Sequence, residues 1–377
     1  MIQMSVKMKI GFDAKRAFHN NTGLGNYSRF VMEGLLKYFP QNQYVAYSPK
    51  PPNPQRGNFF NEKKLDVKTP PSGVGGLLWR SFFIKNDLQR DGIQIYHGLS
   101  NELPFGKMPS GIKTVVTIHD LIFERYPKLY PFFDTLIYKI KFRKACKNAN
   151  AIVAVSQQTK RDIVDFYGIN PEKIHVIYQD CDVAFQEKLS AEHLENVKVK
   201  YQIKKKYILS VGTIIERKNQ ASLVAAFHKL DLSNYELILV GGHSKYQNQI
   251  EKYIKDSSIK NVKILNKVPF QDLPALYQSS ELFVYPSFFE GFGIPIVEAI
   301  HSGVPVVAAT GSCLEEAGGE GALYANPVDV NDLADKILQI LVNKDLKKQL
   351  IEAGQKHIKQ FSAERVAGQL NELYQNL

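Results

Sequence analysis

The feature that most limits what this chain can fold into is an alternation, run through twice, of short β-branched or apolar runs with longer stretches of helical periodicity. The first series of runs is Met8–Asp13, Gln43–Tyr47, Ile93–Tyr96, Thr114–Ile118, Ala151–Val155 and Ile174–Ile177, with helical patterns at Tyr27–Phe39, Leu77–Asp91 and Phe133–Lys147. The second is Tyr207–Val211, Glu236–Val240, Val262–Ile264, Leu282–Tyr285 and Val304–Ala308, interleaved with helical patterns from Gln220 to Gln360. Strand, helix, strand in this order predicts parallel sheets with crossover helices. A chain of 377 residues is too long for one ordinary core and suits two. The pattern therefore predicts two consecutive doubly wound α/β domains, residues 1–185 and 206–355. The polar stretch Phe185–Lys206 reads as a linker with a helix, and Pro49–Arg56 and Lys68–Gly76 read as loops. In such sheets ligands bind beyond the carboxyl ends of the strands, and the unusual residues fall there.

The formal charge is +11, and all of it lies in the first half: residues 1–185 hold 26 Lys and Arg against 15 Asp and Glu, the remainder 22 against 22. This asymmetry points to an anionic partner of the first half, or serves solubility alone. Nucleic acid is not the expected partner, because no aromatic-basic recognition motif is present. No apolar run is long enough to span a bilayer, and Met1–Lys9 offers no signal-peptide stretch. Cys146, Cys181 and Cys313 have neither metal-ligand nor disulfide spacing. A cytoplasmic location is the expectation.

Three segments carry chemistry. In Pro286-Ser287-Phe288-Phe289-Glu290-Gly291-Phe292-Gly293-Ile294-Pro295-Ile296-Val297-Glu298, a strand runs through a glycine turn into a helix. The glycines allow close backbone approach, the helix start favours an anion, and Glu290 and Glu298 are acceptors for sugar or ribose hydroxyls. In Ser210-Val211-Gly212-Thr213-Ile214-Ile215-Glu216-Arg217-Lys218, two cations follow a strand that ends in glycine. They suit a diphosphate leaving group, which needs fixed positive charge. Thr22-Gly23-Leu24-Gly25-Asn26-Tyr27 is a glycine loop after the first run, without the third glycine or the ribose-binding acid of a dinucleotide fingerprint. Arg16, His119 and Asp120 also follow runs of strand type. Ser156 reads first as a helix N-cap.

The Glu290–Glu298 stretch resembles the Glu-x7-Glu signature of the family 4 (group 1) glycosyltransferases, retaining enzymes of the GT-B fold, and the resemblance covers nearly the whole chain. It implies two Rossmann-like domains facing across a cleft: an N-terminal acceptor domain, a C-terminal nucleotide-sugar domain, and a segment 356–377 crossing back to the first. It implies that Glu290 contacts the donor sugar and Glu298 the ribose. Gly291, Phe292, Gly293 and Ile294 would hold sugar and diphosphate, beside Gly212 and Thr213. Arg217 and Lys218 match the family's Arg-Lys pair, Gly23 and Gly25 its cleft loop, Arg16 its arginine after strand one, and His119 a histidine close to the reacting sugar. Departures are Glu216 for a frequent proline and Gln179-Asp180 for a frequent Asn-Gly or Gln-Gly. Asp180-Cys181-Asp182 spells a metal-binding triplet of another fold, but it sits at this family's hinge, so no metal and no cofactor are expected. The implied reaction moves a hexose from a nucleotide diphosphate sugar to a hydroxyl of a glycan or lipid-linked acceptor. No protein nucleophile is implied; the departing phosphate takes the acceptor proton. Similarity of Gly11 through Tyr27 to bacterial polysaccharide mannosyltransferases hints at GDP-mannose. A sugar-nucleotide 2-epimerase of similar architecture is the alternative.

Tyr138–Lys147 holds five cations in ten residues beside an apolar stripe of Leu136, Ile137 and Ile140. An ordinary domain helix explains it, and so does peripheral attachment to an anionic membrane face.

Overall fold

The computed structural model describes residues 7–20, 22–52, 65–71 and 75–377. The start Met1–Lys9 and the segments Pro49–Arg56 and Lys68–Gly76 fall partly outside these. The chain divides into two compact units, Met1–Gln179 with Phe361–Leu377, and Asp180–Gln360.

The first unit holds strands β1 (Lys9–Asp13), β2 (Gln43–Tyr47), β3 (Leu65–Lys68), β4 (Ile95–Gly98), β5 (Lys113–Ile118), β6 (Ala151–Ala154) and β7 (Ile174–Val176). Among the described residues they form one sheet in the order β3-β2-β1-β4-β5-β6-β7, every pair parallel. The second unit holds β8 (Lys206–Val211), β9 (Tyr235–Val240), β10 (Val262–Leu265), β11 (Leu282–Tyr285), β12 (Val306–Ala309) and β13 (Ala322–Ala325). Their order is β10-β9-β8-β11-β12-β13, again all parallel. Central strands such as Ala151–Ala154 and Leu282–Tyr285 are buried at every position, as expected where helices cover both faces. Both sheets are Rossmann-like and doubly wound, and in each the order reverses once, at β1/β4 and at β8/β11. That reversal opens a crevice at the carboxyl ends.

Local signals set the helices. Ser156 Oγ accepts from Thr159 N at 3.0 Å and caps Gln157–Tyr167, which ends at Gly168 with φ +63°, a standard pair of start and stop devices. The glycine stretch read as a loop is helical: the helix runs Gly23–Tyr38, four residues longer at its start than the apolar pattern suggests. Asn20 makes this possible, because its Oδ1 accepts from Thr22 N at 2.8 Å and Gly25 N at 3.2 Å. A Cβ on Gly25 would lie 2.0 Å from the Asn20 carbonyl oxygen, so glycine is required there. Edge strand β3, with two of its four residues exposed, and the short β13 are additions to the expected set. The stretch expected to link the domains joins the second unit, its helix Ala191–Lys200 capped by Ser190.

The last helix, Ala363–Gln375, packs within the first unit. Asn42 Nδ2 donates to Asn371 Oδ1 at 3.0 Å, and Tyr374 Oη lies 2.6 Å from His97 Nδ1. The basic helix spans Phe132–Asn148, and its apolar and cationic residues separate along the axis rather than around it. Phe132, Phe133, Leu136, Ile137 and Ile140 are exposed in its first half, while Arg143, Lys144 and Lys147 are exposed in its second. Lys139 and Lys141 are ion-paired, to Glu124 at 2.8 Å and Glu102 at 3.6 Å.

Candidate active site

Beyond β8 the chain passes Gly212 and Thr213, turns once through Glu216–Lys218, and enters the helix Gln220–Lys229. Asn219 makes the turn possible, with φ +58° and a side-chain amide that donates to Pro286 O at 3.2 Å and Pro327 O at 2.8 Å. Phe288 N donates to Arg217 O at 2.9 Å. The loops leaving β8 and β11 are thereby stitched together at the point where the strand order reverses.

Glu290 is the centre of this junction. Its Oε1 lies 2.7 Å from Arg217 Nη1 and 2.6 Å from Lys218 Nζ, and accepts from Ser287 Oγ at 2.5 Å and Tyr285 Oη at 3.2 Å. Arg217 also donates to the Phe289 carbonyl and Lys218 to the Tyr285 hydroxyl. All four contacts fall on one oxygen; Oε2 takes none of them. Burial alone would raise the Glu290 carboxyl, but Lys218 and Arg217 outweigh it and hold it at about 2. Burial pulls the Lys218 ammonium below its usual value against the opposing field of Glu290.

Gly293 then caps the helix Ile294–His301, with Pro295 in its first turn. Its φ is +123°, and a Cβ there would lie 2.9 Å from Leu314 Cδ2, so both backbone and packing demand glycine. Glu298 follows on this helix and accepts from Tyr277 Oη at 2.7 Å. The residue is half-buried, its carboxyl bonded to that hydroxyl. Burial lifts that carboxyl to about 7; Asp182 adds to the rise and Tyr277 opposes it. The two glutamates thus differ sharply, one fixed as an anion and one poised to titrate.

In the first unit, His119 follows β5 and is buried. Its Nε2 faces the Leu99 carbonyl at 2.9 Å and its backbone N–H donates to Asn101 Oδ1 at 2.8 Å. A carbonyl only accepts, so Nε2 carries the proton and Nδ1 keeps its lone pair. Burial draws its pKa down to about 4, and Arg16 acts in the same direction. At neutral pH His119 is therefore an uncharged acceptor, not a cation. The Tyr27 ring meets it edge-on, centroids 4.6 Å apart, and Tyr27 Oη reaches Thr117 Oγ1 at 3.0 Å. Arg16 lies on the short helix Lys15–His19 and has no ion pair among the described residues. Asp120 Oδ1 accepts from Ile122 N at 3.1 Å and shapes the turn.

The structure gathers Arg217, Lys218 and Glu290 into direct contact, with Gly293 and Glu298 on the next helix, and gathers Arg16, Gly25, Tyr27 and His119 in the other unit. Sequence reasoning passed over Ser287 and Tyr285, which lie within or beside the quoted segment, and Tyr277, for which no local signal exists. It also passed over Arg80, buried against Asp13 and Glu102 at 2.5 and 2.6 Å. The Asp180/Asp182 pair is split: Asp180 Oδ1 lies 2.8 Å from His301 Nε2, whereas Asp182 caps a turn through Ala184 N at 3.0 Å. Ligand atoms of Asp180, Cys181 and His301 lie within 4.8 Å of one another. No helix among the described residues is long and apolar enough to cross a membrane.

Comparison with known proteins agrees with this fold. Residues 193–357 match the family model "Glycosyl transferases group 1" and residues 31–184 match "Glycosyltransferase Family 4". The chain is 31% identical over 391 residues to the O-antigen chain mannosyltransferase B of Escherichia coli, covering 98% of this chain and all of that one. It is 33% identical over 223 residues, 57% of each chain, to the O-antigen chain mannosyltransferase RfbU of Salmonella typhimurium. Among solved structures, a glycosyltransferase from Rickettsia africae superposes with a TM-score of 0.76 at 19% identity over 98% of both chains. Anabaena HepE in complex with UDP-glucose gives 0.74 at 18% identity over 98% of this chain and all of that one. These neighbours have the GT-B fold. The chain belongs to the group 1, family 4 glycosyltransferases.

Proposed function

We propose that this enzyme moves a hexose, mannose from GDP-mannose, onto a hydroxyl of a glycan or lipid-linked acceptor, with retention at the anomeric carbon, in surface polysaccharide synthesis. Donor binding belongs to the unit Asp180–Gln360 and acceptor binding to the unit formed by Met1–Gln179 and Phe361–Leu377. The observation that carries the donor assignment is the Arg217–Glu290–Lys218 cluster at the strand-order reversal. It holds two fixed cations where a diphosphate can replace part of their internal neutralisation. As the glycosidic bond breaks, its electron pair passes to the phosphate oxygen, and Arg217 and Lys218 take up the charge. The same phosphate oxygen then accepts the proton of the attacking hydroxyl, so no protein nucleophile and no metal enter the step. Glu290 Oε2 accepts from a sugar hydroxyl while Oε1 keeps the cations aligned. Glu298 accepts from the ribose, with Gly212, Thr213 and the backbone of Gly291, Phe292, Gly293 and Ile294 around sugar and diphosphate. His119, through Nδ1, accepts from a sugar hydroxyl. Arg16, Gly23 and Gly25 shape the acceptor side. The relatives named mannosyltransferases support mannose; the basic helix Phe132–Asn148 supports work at an anionic membrane surface from the cytoplasmic side.

The test is incubation of purified enzyme with GDP-mannose, UDP-glucose and ADP-glucose, following transfer and slow donor hydrolysis. Preference for GDP-mannose, with the anomeric configuration retained, supports the reading. Preference for a uridine or adenine donor refutes the mannosyl assignment. A 2-epimerised product in place of transfer refutes the transferase reading altogether.

A further inference from the structure

Outside the phosphate cluster, the second unit brings together three side chains of different donor type. Asp180 and Cys181 stand at the start of that unit, and His301 ends the helix Ile294–His301. Asp180 and His301 are 121 positions apart, so no spacing along the chain announces the group. One carboxylate oxygen, the Cys181 sulfur and one imidazole nitrogen lie within 4.8 Å of one another. Asp180 and Cys181 are buried, and the His301 side chain is 16% exposed. Among the described residues no other group of His, Cys, Asp and Glu side chains converges in this way.

A buried cysteine is most often a small apolar filler, and an Asp–His hydrogen bond is common in structure. The surroundings here are not those of a filler. Asp180 is held from behind: Oδ1 accepts from the Cys181 N–H at 2.8 Å and Oδ2 from Gln186 Nε2 at 3.4 Å, the kind of support that orients a metal ligand. The Cys181 thiol donates to the Asp182 carbonyl at 3.6 Å, a weak bond that a cation can displace. The neighbourhood is acidic, with Asp182 next in the chain and Glu298 three residues before His301, on the same face of their helix. Among the described residues no Lys or Arg pairs with Asp180; its ion-pair partner is His301, at 2.8 Å. Thiolate, imidazole and carboxylate together suit zinc, and are a poor set for magnesium or calcium, which take oxygen ligands. Bonds of about 2.0–2.3 Å put tetrahedral ligands about 3.5 Å apart, so small side-chain rotations close these three around an ion.

We propose that Asp180, Cys181 and His301 bind one zinc ion, with a water molecule completing the tetrahedron. On binding, the thiol gives its proton to solvent and the sulfur bonds the ion. The imidazole proton moves from Nε2 to Nδ1, so that Nε2 bonds the ion in place of its present contact with Asp180. No electron is transferred. The site does not depend on the identity of the sugar donor and leaves transfer metal-free, since it lies about 12 Å along the helix from Gly293. Its role is a brace: the ion ties the last turn of the helix that carries Glu298 to the first residues of the unit.

The test uses the full chain, stripped with EDTA and freed of chelator, then titrated with Zn²⁺ and with Co²⁺ as a coloured substitute. Calorimetry should give one Zn²⁺ per chain. Co²⁺ should produce a thiolate-to-metal charge-transfer band in the near ultraviolet together with visible bands of tetrahedral intensity. Cys181→Ser should lose the charge-transfer band and bind Zn²⁺ about 100-fold more weakly, or worse. His301→Gln and Asp180→Asn should each weaken Zn²⁺ by at least about tenfold. Asp180→Asn can keep the hydrogen bonds of the carboxylate, so it decides the matter should Cys181→Ser fail to fold. In scanning fluorimetry a hundredfold excess of Zn²⁺ over its dissociation constant should raise the wild-type melting temperature by on the order of 5 °C, and that of Cys181→Ser by far less. No stoichiometric Zn²⁺ binding overturns the proposal. So does a charge-transfer band that survives Cys181→Ser, which would place the ion on another cysteine, or Zn²⁺ affinity unchanged in Asp180→Asn and His301→Gln. GDP binding by the same stripped protein is measured alongside; its presence without Zn²⁺ binding sinks the zinc site and leaves the transferase reading standing.

Discussion

Replacing Glu290 by Gln should make the enzyme depend on its nucleotide for stability. In the structure Glu290 neutralises Arg217 and Lys218, whose side chains are only 15% and 12% exposed. Removing one partner of a buried ion pair costs about 3–5 kcal/mol, because the remaining charge is left uncompensated. Lys218, already drawn down by burial, can relieve part of this by releasing its proton, so the lower figure, about 3 kcal/mol, is appropriate. For a unit of this length 1 kcal/mol moves the melting temperature by about 2–4 °C, giving a fall on the order of 10 °C. A nucleoside diphosphate brings the missing negative charge to the same two cations. Scanning fluorimetry with and without GDP should therefore show a ligand-induced rise larger in Glu290→Gln than in the wild type, recovering much of the loss. Turnover should stay low even in the saturated variant. A variant that melts within 1–2 °C of wild type, or gains no more from nucleotide than wild type, would refute the view of Glu290 as the internal counter-ion of a phosphate site.

Further outcomes follow from the same geometry. Glu298, raised to about 7, is protonated in the folded state over a range where the unfolded chain has released its proton, so stability should fall as pH rises from about 4.5 to 7. Glu298→Gln should flatten that slope in pH-dependent denaturation, and should also remove the rise in nucleotide affinity as the carboxylate ionises through pH 7. Arg217→Ala with Lys218→Ala should lower kcat/KM by on the order of 100-fold or more; activity assayed in EDTA should persist, and loss with rescue by Mn²⁺ or Mg²⁺ would reopen the cluster at Asp180. Gly293→Ala forces a side chain into φ +123° and against Leu314, and should destabilise by about 1–3 kcal/mol in urea denaturation while weakening nucleotide binding.

The convergence of Arg217, Lys218 and Glu290 was legible in the sequence because a doubly wound sheet delivers the ends of its central strands to one place. That they neutralise each other was not, since the pairing is a contact across about seventy residues made by rotamers no local pattern encodes. Tyr277 was invisible for a similar reason: it lies on the helix Leu273–Gln278, and its hydroxyl meets Glu298 only after packing. The helical start at Gly23 ran against propensity, since glycine disfavours helices; the Asn20 side chain and the close approach to its carbonyl override that. The strand Leu65–Lys68 is short, half exposed and set between turn-forming stretches, so its alternation was too brief to register. His119 was correctly placed beyond its strand, but its charge state depends on burial and on the Leu99 carbonyl, which are properties of the folded chain.

The first unit is assembled from two pieces of chain that synthesis separates by the whole of Asp180–Gln360. While the ribosome is making that intervening stretch, Asn42 and His97 await partners that do not yet exist, since Asn371 and Tyr374 emerge only afterwards. The unit that starts first is therefore the one that finishes last, whereas its neighbour can close as soon as its own continuous segment is available. A nascent first unit must wait without the helix whose Val366, Ala367, Leu370 and Leu373 are buried in the finished protein, and such incompletely packed units are the ones exposed to aggregation and to chaperones during translation. Damage confined to residues 361–377 should accordingly show itself as misfolding of residues some three hundred positions earlier.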